Sequence, residues 1–440
     1  MAARRFFGGV HPACDKDLAN RLAIEAMPLP GRLIVPFAQN LGAAPKPVVK
    51  KGDTVKKGQV IAEPQGFVSV PLHAPTSGTV QAIDVFPHPV GADMPAAVIV
   101  PDGKDEWASG LDVERGAEGL DAETIKSIVR DAGLVGMGGA SFPTHVKLSP
   151  PKDKPIDVLV INGAECEPYL ASDHRLMLEK APQILEGASY LAQALGVKNV
   201  IVAIEKNKPD AIEAMRKEAG ARGCTVARLD VVYPQGAERQ LIYVVTGRIV
   251  PAGGLPMDVG VLVQNVGTAY AAWDAVRRNR PLVERVVCVT GRGVAEPKNV
   301  LARIGTTFSD LIEFCGGRKQ DAGKVIGGGP MMGVAQYSLD ASVTKGTSGI
   351  VVLKQGEVAQ FVGDACIRCG RCVRACPMRL NPSVLSIFAE RLRFEDAGEH
   401  HVLDCIECGC CAYLCPSRRP MVHHFRRAKA EVRKNAAKAV

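Results

Sequence analysis

The 440-residue chain is expected to fold as several α/β and α+β domains, and three observations carry that expectation. Between about residues 115 and 285, apolar strand-like runs alternate with helical stretches, the pattern of a mainly parallel, Rossmann-like sheet with helices on its faces. Residues 31–110 show short apolar runs punctuated by Gly and Pro, the mark of a small all-β unit. Near the C-terminus the phrase Cys-x-x-Cys-x-x-Cys-x-x-x-Cys-Pro occurs twice. Its copies are Cys366, Cys369, Cys372, Cys376, Pro377 and Cys405, Cys408, Cys411, Cys415, Pro416. With 47% hydrophobic and 23% charged residues, the composition allows sizeable cores in about three domains.

The elements follow in order. Residues 1–30 form a turn-rich segment without regular periodicity; Met1 to Phe7 lack an apolar h-region, so no secretory signal is expected. His11 and Cys14 are two ligand types without partners and read as structural. In the β unit, Gly52-Asp53 to Gly58-Gln59 and Ala74-Pro75 to Thr79-Val80 resemble the two half-motifs of biotinyl/lipoyl carrier domains. Carriers need a modifiable lysine between the halves; Ile61 to His73 contains none, so the expectation is a carrier-like sandwich that carries nothing. A helix over Asp121–Asp131, capped by Asp121, opens the α/β unit. Strands are expected at 156–162, 199–204, 225–232 and 259–264, with helices at 172–195, 209–219 and 236–246. Residues 286–355 return to short strands around a helix near 308–315 and a loop, Gly327 to Gly333, as in a β-grasp unit. The cysteine motifs fill 356–440, with a helix over 382–392 between them.

The doubled cysteine phrase has the spacing of bacterial two-cluster ferredoxins, in which four thiolates hold each 4Fe-4S cubane. Zinc sites usually pair two Cys-x-x-Cys units across a longer gap, and disulfides need an oxidising compartment; both are weaker readings. Cys14, Cys166, Cys224, Cys288, Cys315 and Cys410 remain outside the phrase, as reduced and mostly buried thiols. The net charge is +8, and residues 418–440 hold eight Lys or Arg against Glu431 alone. Met421, Phe425, Ala428 and Val432 recur at helical spacing, so this tail reads as a basic amphipathic helix. It is either a solvated terminal helix or a dock for an acidic protein partner or anionic lipid. Nucleic acid is not expected, since no recognition module accompanies the charge. No run of eighteen apolar residues exists, which suits a cytoplasmic or membrane-peripheral protein.

Candidate site residues gather at expected strand ends. Gly136, Gly138 and Gly139 form a loop whose backbone N–H groups can face an anion or a flavin edge. It is neither a G-x-G-x-x-G fingerprint nor a Walker loop. Asn162, Glu165 and Glu167 follow the first strand of the parallel sheet. Tyr233, Gly236 and Glu238 follow the third, and Asn265 and Thr268 the fourth. Residues past strand C-termini line the ligand crevice of such sheets. Read alone, each is a loop polar group, or a helix cap at Thr268.

Gly136 to Lys147, Asn162 to Pro168, Tyr233 to Glu238 and Gln264 to Thr268 resemble the flavin- and NADH-binding subunit of respiratory complex I and related hydrogenases. The resemblance implies FMN contacts at Gly136, Gly138, Lys147, Asn162, Tyr233, Gly236, Glu238, Asn265 and Thr268, with Phe142, Glu167 and Glu238 on the nicotinamide side. Ala164, Cys166, His145 and Gln264 depart from that pattern. Over its whole length the chain is similar to the RnfC family, the C-type subunits of Rnf ion-translocating electron transport complexes. That likeness runs from Phe7-Gly8-Gly9-Val10-His11-Pro12 through Gly328-Gly329-Pro330-Met331-Met332-Gly333 to both cysteine motifs. It implies a peripheral protein on the cytoplasmic side of the inner membrane, passing electrons between NAD(H) and membrane partners or ferredoxin through FMN and two 4Fe-4S clusters.

By the two-cluster rule, the last cysteine of each motif crosses over. One set is then Cys366, Cys369, Cys372 and Cys415; the other is Cys405, Cys408, Cys411 and Cys376. Arg368, Arg371 and Arg374 beside the first, against Glu407 beside the second, should raise the first potential. A soluble reductase of the cobalamin-reductase type and a flavin-free electron relay are the competing readings.

Overall fold

The computed structural model describes residues 4–359 and 363–438; Met1–Ala3 of the N-terminal segment and residues 360–362 and 439–440 of the cysteine region lie outside them. The β unit contains a four-stranded and a three-stranded sheet. Its longest feature is an antiparallel hairpin of Gly78–His88 and Ala92–Pro101, which Leu33–Pro36 extends on the outer side. Gly52 and Gly58 both have positive φ, the turn role expected of them. Leu33, Ile61, Leu72 and Ile99 from this unit merge into one buried cluster with Ile125, Leu134, Ile184 and Ala272 of the α/β unit. The two units therefore share a core.

The α/β unit has the expected parallel sheet. In spatial order its strands are Cys224–Leu229, Asn199–Glu205, Val158–Gly163 and Val261–Asn265. The chain starts at Val158–Gly163, winds outward twice on one side, then returns to the other. The strand order reverses between Val158–Gly163 and Val261–Asn265, and such a switch point opens a crevice at the strands' carboxyl ends. The single helix expected over 172–195 is two, Ser172–Glu179 and Ala181–Leu195. Pro182 in the first turn of the second lacks the N–H to continue the first. Ala181–Leu195 packs on Val266–Arg278 so closely that a side chain at Gly187 would overlap the Ala269 carbonyl.

The unit after 285 contains a six-stranded sheet, and its outermost strand corrects the sequence reading. Ile24–Ala26, from the segment expected to be irregular, pairs in parallel with Lys298–Arg303. Three residues are too few for periodicity to show. The tail also forms a helix, Met421–Lys438. Its Met421, Phe425 and Ala428 are buried with Cys372, Leu385, Ala389 and Cys411 in one cluster. The apolar face of the tail is therefore spent inside the cysteine domain, neither solvated nor free to meet a partner. No helix among the described residues is long and apolar enough to cross a membrane.

Candidate functional site

The crevice is floored by register partners. Asn162 and Asn265 face each other on adjacent strands across the switch point. Asn162 Nδ2 donates to the Gly236 carbonyl at 3.0 Å, while its Oδ1 accepts the Ala164 N–H at 3.1 Å. Asn265, rather than Thr268, caps the following helix, its Oδ1 accepting the Gly267 N–H at 2.7 Å. Thr268 Oγ1 accepts the Met137 N–H at 2.9 Å, which ties the glycine loop to that helix. A side chain at Gly138 would press on the Asn265 amide, so glycine eases this close approach. The loop closes on itself through Gly136 N–H donating to the Phe142 carbonyl at 2.9 Å, which leaves Gly138, Gly139 and Ala140 exposed beside half-buried Phe142. Lys147 donates to Glu238 Oε1 at 2.8 Å and to the Val263 carbonyl at 3.1 Å.

The structure thus brings together Gly136, Gly138, Gly139, Phe142, Lys147, Asn162, Gly236, Glu238, Asn265 and Thr268. A flavin fits this setting: a glycine cradle, an ammonium, paired amides, and buried Gln235 and Gln264 whose side-chain nitrogens have no partner. Cys166 accepts the Gly236 N–H at 3.4 Å, and burial pushes its thiol up to about 12, so it stands neutral beneath the crevice.

Three expected site residues spend their polar groups on neighbouring elements. Glu165 accepts from the Asp173 and His174 backbone N–H groups at 2.7 and 3.3 Å and from the Ser172 hydroxyl at 3.3 Å. It caps the helix Ser172–Glu179, a favoured place for a carboxylate. Glu167 accepts the Met331 and Met332 N–H groups at 3.0 and 2.9 Å, latching the crevice to the Gly327–Gly333 loop. A side chain at Gly329 would collide with that carboxyl. Burial pushes Glu167 up to about 7. The Tyr233 hydroxyl donates to the Cys408 carbonyl at 2.7 Å, so it faces the cysteine domain rather than the crevice.

Sequence reasoning misses the charged groups that hold these elements. Lys16 Nζ donates to the Glu167 carbonyl at 2.8 Å and the Leu170 carbonyl at 2.5 Å, and lies 3.9 Å from Glu165 Oε2. Asp173, pushed up to about 7 by burial and by Glu165 beside it, accepts from Asn265 Nδ2 at 2.7 Å. Lys345, 1% exposed, donates to the Pro71 carbonyl at 2.9 Å and the Gly133 carbonyl at 2.7 Å, joining three domains. No periodic pattern in the sequence marks any of these as a buried ion.

Cys376 lies beside the cysteines of the second motif. A small cavity is lined by Cys376 together with Cys405, Cys408, Cys410 and Cys411. Cys366, Cys369, Cys372 and Cys415 do not line it, and Cys369 is exposed. Among the described residues, no three His, Cys, Asp or Glu side chains converge as a single ion requires. The spacing of the cysteines is what suits a cluster. Cys408 and Cys410 pack with Val10, Tyr233, Cys166 and Met331, so this cavity abuts the crevice domain.

Comparison with known proteins accords with this division. Residues 4–104 match the RnfC barrel sandwich hybrid domain and 129–274 the Nuo51 FMN-binding domain; 286–335 match the SLBB domain and 359–416 the 4Fe-4S dicluster domain. The C-type subunit of the proton-translocating ferredoxin:NAD(+) oxidoreductase complex of Clostridium ljungdahlii is 51% identical over 98% of this chain and 94% of its own. Its Na(+)-translocating counterpart from Acetobacterium woodii is 44% identical over 97% of each. The C-type subunit of the ion-translocating oxidoreductase complex of Rhodobacter capsulatus is 45% identical over 97% of this chain and 82% of its own. FMN, NAD(H) and 4Fe-4S clusters are therefore its cofactors, and electron transfer its work. The chain belongs to the RnfC family, the C-type subunits of ion-translocating ferredoxin:NAD(+) oxidoreductase complexes.

Proposed function

We propose that this protein accepts or delivers hydride at the switch-point crevice and moves single electrons toward a partner along the cysteine domain, from the cytoplasmic side of the membrane. The observation that carries this is the junction of Tyr233 with Cys408, which sets the crevice domain directly against one cysteine set. Gly136, Gly138, Gly139, Lys147, Asn162, Gly236, Asn265 and Thr268 would hold FMN. Phe142 and Glu238, at the open side, would meet the nicotinamide. Cys376, Cys405, Cys408 and Cys411 would hold the cluster nearer the crevice, and Cys366, Cys369, Cys372 and Cys415 the one nearer solvent. Bound flavin supplies the exchange between two-electron hydride chemistry and one-electron clusters.

The residues' own contributions are positional. Lys147 places positive charge over the crevice, and Asn265 fixes the glycine loop's height. The Glu167 latch ties the crevice to the Gly327–Gly333 loop. Units at 31–110, 115–285, 286–355 and 356–440 are the working boundaries, with the other members of a membrane complex, and ferredoxin, as partners. Anaerobic purification with iron, sulfide and FMN assays, then NADH titration followed by absorbance and EPR, tests the reading. It expects about eight irons and bleaching by NADH. Eight irons without flavin or bleaching would leave a plain electron relay.

A further inference from the structure

Resting on that reading, we propose that the surface around the outer cysteine set is where this protein exchanges single electrons with an acidic iron–sulfur partner protein. Arg368, Arg371 and Arg374 alternate with Cys366, Cys369 and Cys372, and Arg418 stands three residues past Cys415. All four arginines are exposed, and among the described residues none has an ion-pair partner. Asp364 is the single acid between 363 and 381. Within this collar Cys369 is exposed, and two apolar side chains face solvent, Ile367 at 67% and Tyr413 at 51% exposure. Small apolar centres ringed by one sign of charge suit brief, electrostatically steered encounters between electron carriers.

The rest of the domain's positive charge is largely committed inside it. Arg426 and Lys429 bind Glu407 at 2.8 and 2.7 Å, and Arg419 binds Glu390 at 2.7 Å. Arg379 lies over the Phe7 ring at 5.0 Å and Arg427 over Phe394 at 5.6 Å. The inner set is walled by Tyr233, Met331 and Val10, so a docking protein reaches the outer set first. Electron transfer falls off steeply with distance, which favours the side where a ligand cysteine is itself exposed. The step is one electron leaving the outer centre and reducing the partner's one-electron centre, or the reverse, with no bond made and no proton moved.

The experiment uses the full chain, purified anaerobically, with a small acidic two-cluster ferredoxin as probe. Binding is measured by calorimetry, and electron exchange by stopped flow, at rising ionic strength. Affinity and rate should fall as salt screens the collar. R371E/R374E should weaken both about tenfold, while R433E/K434E on the tail leaves them unchanged. Iron content and NADH bleaching should match the parent in every variant. Salt-independent exchange, unchanged binding in R371E/R374E, or loss confined to R433E/K434E would overturn the proposal. Absence of NADH bleaching in the parent would instead overturn the functional reading beneath it. If R371E/R374E loses iron, R418E and the parent's salt dependence decide.

Discussion

Lys147 makes two charge-bearing hydrogen bonds at the crevice, to Glu238 and to the Val263 carbonyl. Replacing it with Met should weaken FMN binding at least tenfold, at about 1.5–3 kcal/mol for a hydrogen bond to a charged group. Fluorescence titration of FMN reads this, and iron content should not change. His73 belongs to stability instead. It is buried, its Nδ1 lacks a partner, and burial, with the Lys345 charge nearby, lowers it to about 3. Between pH 6.5 and 3 the unfolded chain binds a proton that the folded one refuses, so stability falls as pH drops through that window. The loss is about 1.4 kcal/mol per pH unit at its steepest. His73→Gln should flatten that limb of a denaturation-against-pH curve. An unchanged limb would refute the assignment.

At the scale of elements, the Glu167 latch and the tail helix make opposite lessons of charge. By position Glu167 reads as a ligand for substrate, and it is a clasp between strand end and loop. Glu167→Ala removes the acceptor of the part-buried Met331 N–H and the exposed Met332 N–H, which should cost about 1–2 kcal/mol and open residues 327–333 to limited proteolysis. The tail reads as either a solvated terminal helix or a docking helix, and its apolar face is core. Deleting 418–440 should strip iron from the protein, because Phe425 and Ala428 leave the cluster domain with it. Deleting 433–440 should keep the iron. That shorter truncation is the one that can report on partner docking, by co-purification with the complex. Glu407 by itself would depress the inner potential relative to the outer. Its charge is matched by Arg426 and Lys429, so half of that argument falls away; the three outer arginines remain.

Across the whole molecule, Lys345 is the joint. One ammonium holds carbonyls of the sandwich and the crevice domain from a loop of the six-stranded unit. Gly133 stands three residues before the glycine loop, so the joint also sets where that loop begins. Lys345→Met should lower stability by about 2–4 kcal/mol through two stranded carbonyls, and domain-resolved hydrogen exchange should rise at 71 and 133 together. A rise confined to one domain would show the joint to be local.

Much of this is legible in order along the chain. The four strands of the parallel sheet, the cap at Asp121, the carrier-like turns at Gly52 and Gly58, and the pairing of Cys376 with the second motif follow from periodicity and spacing. Those are local or repeated signals. The strand Ile24–Ala26 and the helix break at Lys180 escape such reading, the first for its three-residue length and the second although Pro182 marks it. In the site, glycines and amides are legible because backbone geometry demands their types wherever they occur. Glu165 and Glu167 are less legible, because an acid past a strand end can face a ligand, a helix N-terminus or a neighbouring loop. The sequence by itself determined the cluster class, since that depends on thiolates at fixed spacing, and its family resemblance implied the flavin, the nicotinamide and the order of modules. Only the tertiary structure decided where Glu165, Glu167, Tyr233 and Lys345 spend their polar groups, because a buried polar group takes whichever partner the packing of distant segments brings within reach.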